Sequence, residues 1–103
     1  MKKIILTICL LIPQLTFAAS EDTDICEGIA TVAENVMQQR QANISLQIQQ
    51  NVILQFDGDS RDVYELIVED AYEQPILKTD LGKQQMVDKF RKHYFELCMS
   101  EDS

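Results

Sequence analysis

The densest set of side chains able to do chemistry is a run of four carboxylates, Asp57, Asp59, Asp62 and Glu65. Oxygen ligands at such close spacing are typical of calcium-binding loops. Counted from Asp57, however, the sixth position holds Asp62 where the loop motif needs glycine, and the twelfth holds Val68 where it needs glutamate. A turn followed by a helix start is equally acidic, because carboxylates favour the positive end of a helix dipole. We therefore predict a helix start here, and neither a metal site nor a cofactor.

His93 is the only histidine and the main candidate for acid–base catalysis. A histidine base activates a nucleophile only when that group lies beside it. Nothing in the sequence places Ser45, Ser60 or Thr79 next to His93. We predict an exposed position on a helix for His93 and no catalytic residues. A small enzyme or metal-binding protein is accordingly the weakest of the functional hypotheses.

A short basic run surrounds His93 on an otherwise acidic chain. Its members are Lys83, Lys89, Arg91 and Lys92. These cations either face a carboxylate-bearing partner or pair with Asp88, Glu96 and the acids of a neighbouring helix. We favour the structural pairing over a binding role.

The number and positions of the cysteines favour an exported chain over a cytoplasmic one. Cys9 lies within an N-terminal apolar run and is expected to be removed with it. Cys26 and Cys98 remain, and an even pair in a small exported domain predicts a disulfide. Metal binding by these thiols is disfavoured, because the chain has one histidine and no Cys-x-x-Cys motif.

The N-terminus has the three parts of a cleavable secretory signal. Two lysines follow the initiator methionine, residues 4–12 are apolar, and small residues end at Ala18 and Ala19. The apolar run is about half the length of a membrane-spanning helix, which needs about 20 residues. We predict a signal peptide over 1–19, cleaved after Ala18 or Ala19, with no stable membrane anchor afterwards. The expected location is the periplasm or the exterior.

Residues 20–103 are predicted to form a single small helical domain. The 103-residue chain has 9 Lys and Arg against 17 Asp and Glu, a formal net charge of −8. Loss of the two signal lysines makes the charge about −10. Such a surface repels nucleic acids and anionic membranes and attracts basic proteins. The expected partner is therefore another protein.

Apolar residues at helical spacing predict the first helix of this domain. It is expected to begin near Thr23 or Asp24, because Asp24 and Glu27 have the spacing of a capping box. It is expected to end at 41–43, where an asparagine can adopt the left-handed conformation. The buried stripe expected on it consists of Ile25, Ile29, Val32, Ala33, Val36 and Met37, with Cys26 beside it.

The next segment fits two kinds of structure. Alternate residues from Ile44 to Ile48 are apolar, as in a strand, whereas apolar residues from Ile48 to Phe56 step by four, as in a helix. A lone strand would have no partner elsewhere in the chain. We therefore predict a helix within 44–56, which Ser45 could cap.

A third helix follows a turn predicted over 57–60. Asp59 or Ser60 is expected to cap it, and it is expected to stop before Pro75, which cannot continue a helix. The buried face expected on it consists of Val63, Leu66, Ile67 and Ala71, flanked by Tyr64 and Tyr72.

An extended link over 76–78 leads to a last helix, which Thr79 or Asp80 is expected to cap. Its apolar positions are Met86, Val87, Phe90, Tyr94, Leu97 and Cys98. The predicted fold is all-α, a compact bundle of about four helices closed by one disulfide between the first and last helix.

The sequence resembles a family of small exported bacterial and phage proteins. The residues that carry the resemblance are Cys26, the run Val36-Met37-Gln38-Gln39-Arg40-Gln41, the run Ala71-Tyr72-Glu73-Gln74-Pro75, Phe90 and Cys98. Members commonly have glycine where Asn43 stands, which fits a helix end. The resemblance implies an all-helical fold with paired terminal cysteines, and it implies no activity.

Two functional classes share this format, namely helical periplasmic immunity proteins and periplasmic acid-stress chaperones. The first hypothesis is a non-enzymatic protein-binding factor of the inhibitor or immunity type, whose acidic surface attracts a basic target. The alternative is a chaperone-like stress protein whose loosened state exposes apolar helix faces.

Overall fold

The computed structural model describes the main chain of residues 2–102 and the side chains of residues 22–100. Four helices make up this part of the chain: α1 (Lys2–Gln41), α2 (Leu46–Ile53), α3 (Gly58–Glu73) and α4 (Asp80–Asp102). The predicted all-α fold is confirmed for these residues. The side chains of the predicted signal peptide, residues 1–19, lie outside the described ones, so that assignment stays a prediction.

The predicted start of the first helix is wrong. α1 is continuous from Lys2, so Thr23 and Asp24 lie inside a helix and Asp24 caps nothing. No glycine or proline lies between Gln14 and Glu27, and alanine and glutamate in that stretch favour helix. At Asp24 there is therefore no first turn with unpaired N–H groups for a side chain to cap.

The C-terminus of α1 is confirmed in its details. Asn43 has a φ of 63°, in the left-handed region. The Ile44 N–H donates to the Gln39 carbonyl at 3.0 Å, and the Asn43 N–H donates to the Arg40 carbonyl at 3.0 Å. These two bonds form a Schellman motif, which satisfies the last carbonyls of the helix.

The predicted second helix exists, whereas two predicted caps do not. Ser45 occupies the N-cap position of α2, yet its side chain makes no capping hydrogen bond. α3 begins at Gly58, with Asp57 rather than Asp59 or Ser60 in the cap position. The turn lies at 54–57 and not at 57–60. The cap thus lies two residues before Asp59, next to Gly58, which adopts a φ of 57° in the left-handed region that favours glycine.

Pro75 ends α3 and Thr79 begins α4, as predicted. α3 stops at Glu73, and Gln74 has an extended ψ of 149°. The Gly82 N–H donates to the Thr79 hydroxyl at 2.9 Å, which satisfies one of the open donors of the α4 N-terminus.

The link between α3 and α4 is fastened to the end of α1. Gln41 is 4% exposed, and its side-chain amide donates to the Pro75 carbonyl and accepts from the Leu77 N–H, both at 2.9 Å. Arg40 donates to the Gln74 carbonyl at 3.0 Å. Two residues of one helix thus satisfy main-chain groups that the link leaves unpaired.

α1 is the central helix, packed extensively on α4 and also on α3, while α2 packs on α3. The core cluster consists of Ala33, Val36, Met37, Ile67, Val68, Ala71, Val87, Phe90 and Tyr94. Four predicted core residues are instead exposed: Ile25, Val63, Leu66 and Leu97. For Ile25 and Val63 the reason is that α3 leaves part of the apolar face of α1 uncovered.

Cys26 of α1 and Cys98 of α4 form a disulfide, with their Cα atoms 5.5 Å apart. Cys26 is fully buried. Such a bridge is compatible with an exported protein. In the part of the chain whose side chains are described, no helix is both long and apolar enough to cross a bilayer.

Removal of the disulfide should strongly destabilise the fold. The bridge joins residues 72 positions apart, and the chain-entropy model gives about 4 kcal/mol for a loop of that length. We expect the C26S/C98S variant to lose a free energy of unfolding of that order, measured by urea denaturation followed by circular dichroism. Reductant should shift the wild-type midpoint and leave that of the variant unchanged. Equal midpoints for the oxidised and reduced wild type would contradict the prediction.

Candidate functional site

An open groove of about 620 Å³ lies between α2 and α3. We call it the α2–α3 groove. The residues that line it are Leu46, Gln50, Ile53, Leu54, Arg61, Glu65, Val68, Glu69, Tyr72 and Glu73. Leu46 and Leu54 are 43% and 69% exposed. The α2 wall contains no charged residue, so this side of the groove offers only apolar and amide groups.

The α3 wall of the groove carries the acidic ladder, which we define as Glu65, Glu69 and Glu73. These three residues are exposed and repeat every fourth position along one side of α3. No ion pair within the described part of the chain involves any of them. Like charges four residues apart in a helix repel each other, at a cost of about 0.2–0.5 kcal/mol per pair. The ladder therefore places uncompensated negative charge along an apolar groove.

Arg61 is the only cation in the lining of this groove. Its guanidinium donates to the Phe56 carbonyl at 2.7 Å and to the Leu54 carbonyl at 3.3 Å. It also lies 3.8 Å from the exposed carboxylate of Asp57. Arg61 thus holds the turn between α2 and α3. Because its guanidinium is directed to that turn, it offsets little of the negative charge of the ladder.

Buried hydrogen bonds fix α2 relative to α1 and α3. Gln49 of α2 is fully buried, donates to the side-chain oxygen of Gln39 and accepts from the Tyr64 hydroxyl at 2.9 Å. Burial, with a smaller contribution from nearby Tyr72, raises the pKa of Tyr64 above its usual 10.0. Breaking such a bond would leave a buried amide or hydroxyl unpaired. The α2 wall of the groove is therefore set in place before any ligand binds.

Tyr72 fixes the far end of the same groove. Its hydroxyl donates to the Ile44 carbonyl at 2.7 Å, and the Arg40 guanidinium lies 5.2 Å from its ring centroid, a cation–π distance. The link between α1 and α2 is thereby tied to α3.

A second groove, of about 400 Å³, lies between α1 and the N-terminal half of α3. We call it the α1–α3 groove. Its lining is mostly apolar and consists of Ile25, Gly28, Ile29, Val32, Phe56, Asp59, Ser60, Val63, Tyr64 and Ile67. The Phe56 and Tyr64 rings stack, with centroids 5.0 Å apart. The exposure of Ile25 and Val63 follows from this opening.

The four carboxylates grouped in the sequence around Asp57 do not come together as a metal-binding site. Among the described residues, no three Asp, Glu, His or Cys side chains converge as metal ligands. Asp57 caps α3 by position, Asp59 lies in its first turn, and Glu65 belongs to the ladder two turns later. His93 is exposed on α4, where the edge of its ring meets Tyr94. The contacts described for His93 include no serine or threonine hydroxyl.

The predicted structural role of the basic run is confirmed for Arg91. This residue pairs across the α1–α4 interface with Glu27 and, at 3.4 Å, with Glu34. Its guanidinium also lies 3.3 Å from the Thr31 hydroxyl. Lys92 pairs with Glu96 at 3.9 Å on the surface, a contact worth little.

Tyr94 and Asp70 join α4 to α3. The buried Tyr94 hydroxyl donates to the Asp70 carboxylate at 2.9 Å. Burial, and then the hydrogen bond and charge of Asp70, raise the pKa of Tyr94 well above its usual 10.0. The folded protein therefore keeps this proton at a pH where an unfolded chain loses it.

Comparisons of the chain with protein-family models, with curated proteins and with solved structures found no match. The site must therefore be interpreted from its own geometry.

The acidic ladder was not predicted from the sequence. The predicted cluster was the dense run around Asp57, whereas the ladder combines a sparse repeat on α3 with an uncharged groove wall supplied by α2. Its only signal in sequence was the spacing of Glu65, Glu69 and Glu73. Two glutamines near the link between α1 and α2, Gln41 and Gln49, are buried.

The Tyr94 bond predicts a specific loss of stability in alkali. Because the folded pKa is raised, the stabilisation is complete below about pH 10 and is lost as the pH rises above the unfolded value. One such group contributes a slope of at most about 1.4 kcal/mol per pH unit. We expect the free energy of unfolding of the wild type to fall more steeply between about pH 9 and 11 than that of Y94F. Parallel profiles in urea titrations would show that the folded state does not retain this proton.

Proposed function

We propose that this protein is an exported, non-enzymatic factor that binds a basic protein through the α2–α3 groove. The observation that carries the proposal is that the acidic ladder on α3 faces the uncharged α2 wall of the groove. A cationic, partly apolar segment would satisfy both features at once. Among the functional classes considered, this fits an inhibitor or immunity factor.

The cost of the ladder supports a binding role. Glu65, Glu69 and Glu73 lower the stability of their own helix, because each repels its neighbour and none is paired. Local rules are most often broken at functional sites, where another gain offsets the loss. A bound cationic partner would supply that gain, since it would turn the repulsion into attraction.

Rigidity also favours selective binding. Gln49, Tyr64 and Tyr72 hold the groove walls with buried or half-buried hydrogen bonds, and the disulfide ties α1 to α4. A preorganised surface loses little conformational entropy when its partner binds. The net charge of about −10 expected after signal cleavage would also accelerate encounter with a basic protein.

We place this activity in the periplasm. The N-terminal residues have the pattern of a cleavable signal, and the Cys26–Cys98 disulfide suits an oxidising compartment. A periplasmic or secreted partner would encounter the folded, oxidised form.

A chaperone-like stress protein is the second candidate. The α1–α3 groove already exposes Ile25, Val63 and Phe56. The ion pairs of Arg91 and the hydrogen bond of Tyr94, which join α4 to α1 and α3, involve the carboxylates of Glu27, Glu34 and Asp70. Protonation of carboxylates in acid weakens contacts of that kind. Such loosening would enlarge the apolar surface available to unfolded clients.

A crosslinked pull-down of tagged protein from periplasmic extract, at neutral and at acidic pH, separates the two candidates. We expect one stoichiometric basic partner at neutral pH. The variant E65Q/E69Q/E73Q should bind it at least about tenfold more weakly, a loss of about 1.4 kcal/mol. Raised salt should slow its association with the wild type.

The matched control is D24N/D88N/E96Q, which removes the same charge at exposed positions outside the groove. It should bind as the wild type does. Equal losses in both triple variants would attribute binding to net charge and not to the groove. Capture of many clients only in acid would favour the chaperone, and no partner at either pH would refute both candidates.

A further inference from the structure

We infer that the occupant of the α2–α3 groove is an amphipathic α-helix with a cation at every fourth position. This inference rests on the proposed function and specifies the shape of the partner. It follows from the dimensions of the groove, from the groups that line it and from the charge of the chain.

The dimensions of the groove match about two turns of helix. Glu65 and Glu73 are eight residues apart on α3, which is about 12 Å along the axis, and the eight residues of α2 extend about the same length. The ladder repeats about every 6 Å, the same step that separates residues four apart on a second helix. Cations at that spacing on the occupant would each face one glutamate.

The α2 wall of the groove favours an occupant whose main-chain N–H and C=O groups are hydrogen-bonded to each other. The side chains of Leu46, Ile53 and Leu54 offer no hydrogen bonds to a peptide backbone. Gln50 supplies a single side-chain amide, too few groups to pair the main chain of an extended segment, and the Tyr72 hydroxyl already donates to the Ile44 carbonyl. No strand occurs in the described residues, so no sheet edge is available for an extended segment to join. An extended peptide would bury unpaired N–H and C=O groups, whereas a helix pairs them internally.

A second copy of this chain does not fit the groove. The two copies would each carry a net charge of about −10 after signal cleavage, and like charges repel. Two of the cations of α4 are also engaged already, Arg91 with Glu27 and Glu34 and Lys92 with Glu96. The occupant is therefore a different, basic protein segment.

Synthetic peptides test the inference without the natural partner. The probe is a short helical peptide with lysine at every fourth position and leucine on the adjoining face. A second peptide has the same composition in shuffled order, and a third has a central proline that breaks the helix. Binding to the oxidised protein is measured by NMR titration, which reports both the affinity and the residues affected.

We expect the patterned peptide to bind at least about tenfold more tightly than either control peptide. Its chemical-shift changes should lie on α2 and α3, and E65Q/E69Q/E73Q should abolish the preference while D24N/D88N/E96Q keeps it. Equal affinities for the patterned and proline peptides would overturn the helical occupant, and so would absence of binding to the patterned peptide. Either result would leave the proposed function to be decided by the pull-down, which does not depend on the shape of the segment.

Discussion

The fold depends on the pairing of α1 with α4, which the Cys26–Cys98 disulfide closes. α1 packs on α4 over its most extensive interface and on α3 over a smaller one, and α2 reaches the rest of the protein mainly through α3. The α2–α3 unit is therefore supported mainly by α1, and the hydrogen bond from Tyr94 to Asp70 ties it to α4 as well. In a domain of this size the apolar core alone gives limited stability, so the orientation of both groove walls depends indirectly on that covalent bond.

Polar contacts complete what the small core leaves open. Gln41 holds the link at Pro75 and Leu77, and Gln49 joins α2 to Tyr64. In the part of the chain with described side chains, no buried polar side-chain atom lacks a partner. Buried amides whose hydrogen bonds are all formed specify one arrangement of the helices, because any shifted packing would leave a buried donor or acceptor without a partner. The helices can thus leave two apolar grooves open and still keep a defined structure.

The predicted helix ends at Asn43 and before Pro75 are confirmed, whereas the predicted starts of α1 and α3 are wrong. Asn43 and Pro75 act through their own backbone geometry, which neighbouring packing changes little. Asp24 and Asp59 were predicted as caps, and a cap has meaning only where a helix actually begins. Continuity of α1 and the left-handed Gly58 determined those positions instead. Local pattern identified these candidates but could not rank them.

The grooves were less predictable, because they depend on how the helices are placed. Periodicity identified Val63 as an apolar residue on α3, yet whether it is covered depends on how far α3 lies from α1. Likewise the ladder becomes one wall of a site only because α2 supplies an uncharged wall opposite it.

We propose a rigid, cross-linked helical protein whose unpaired acidic residues would be stabilised by a basic partner. The measurement that tests this most directly is an NMR titration of labelled protein with the captured partner. Shift changes concentrated on α2 and on α3 from Glu65 to Glu73 are the predicted result, and changes confined to α4 or to the α1–α3 groove would contradict the account.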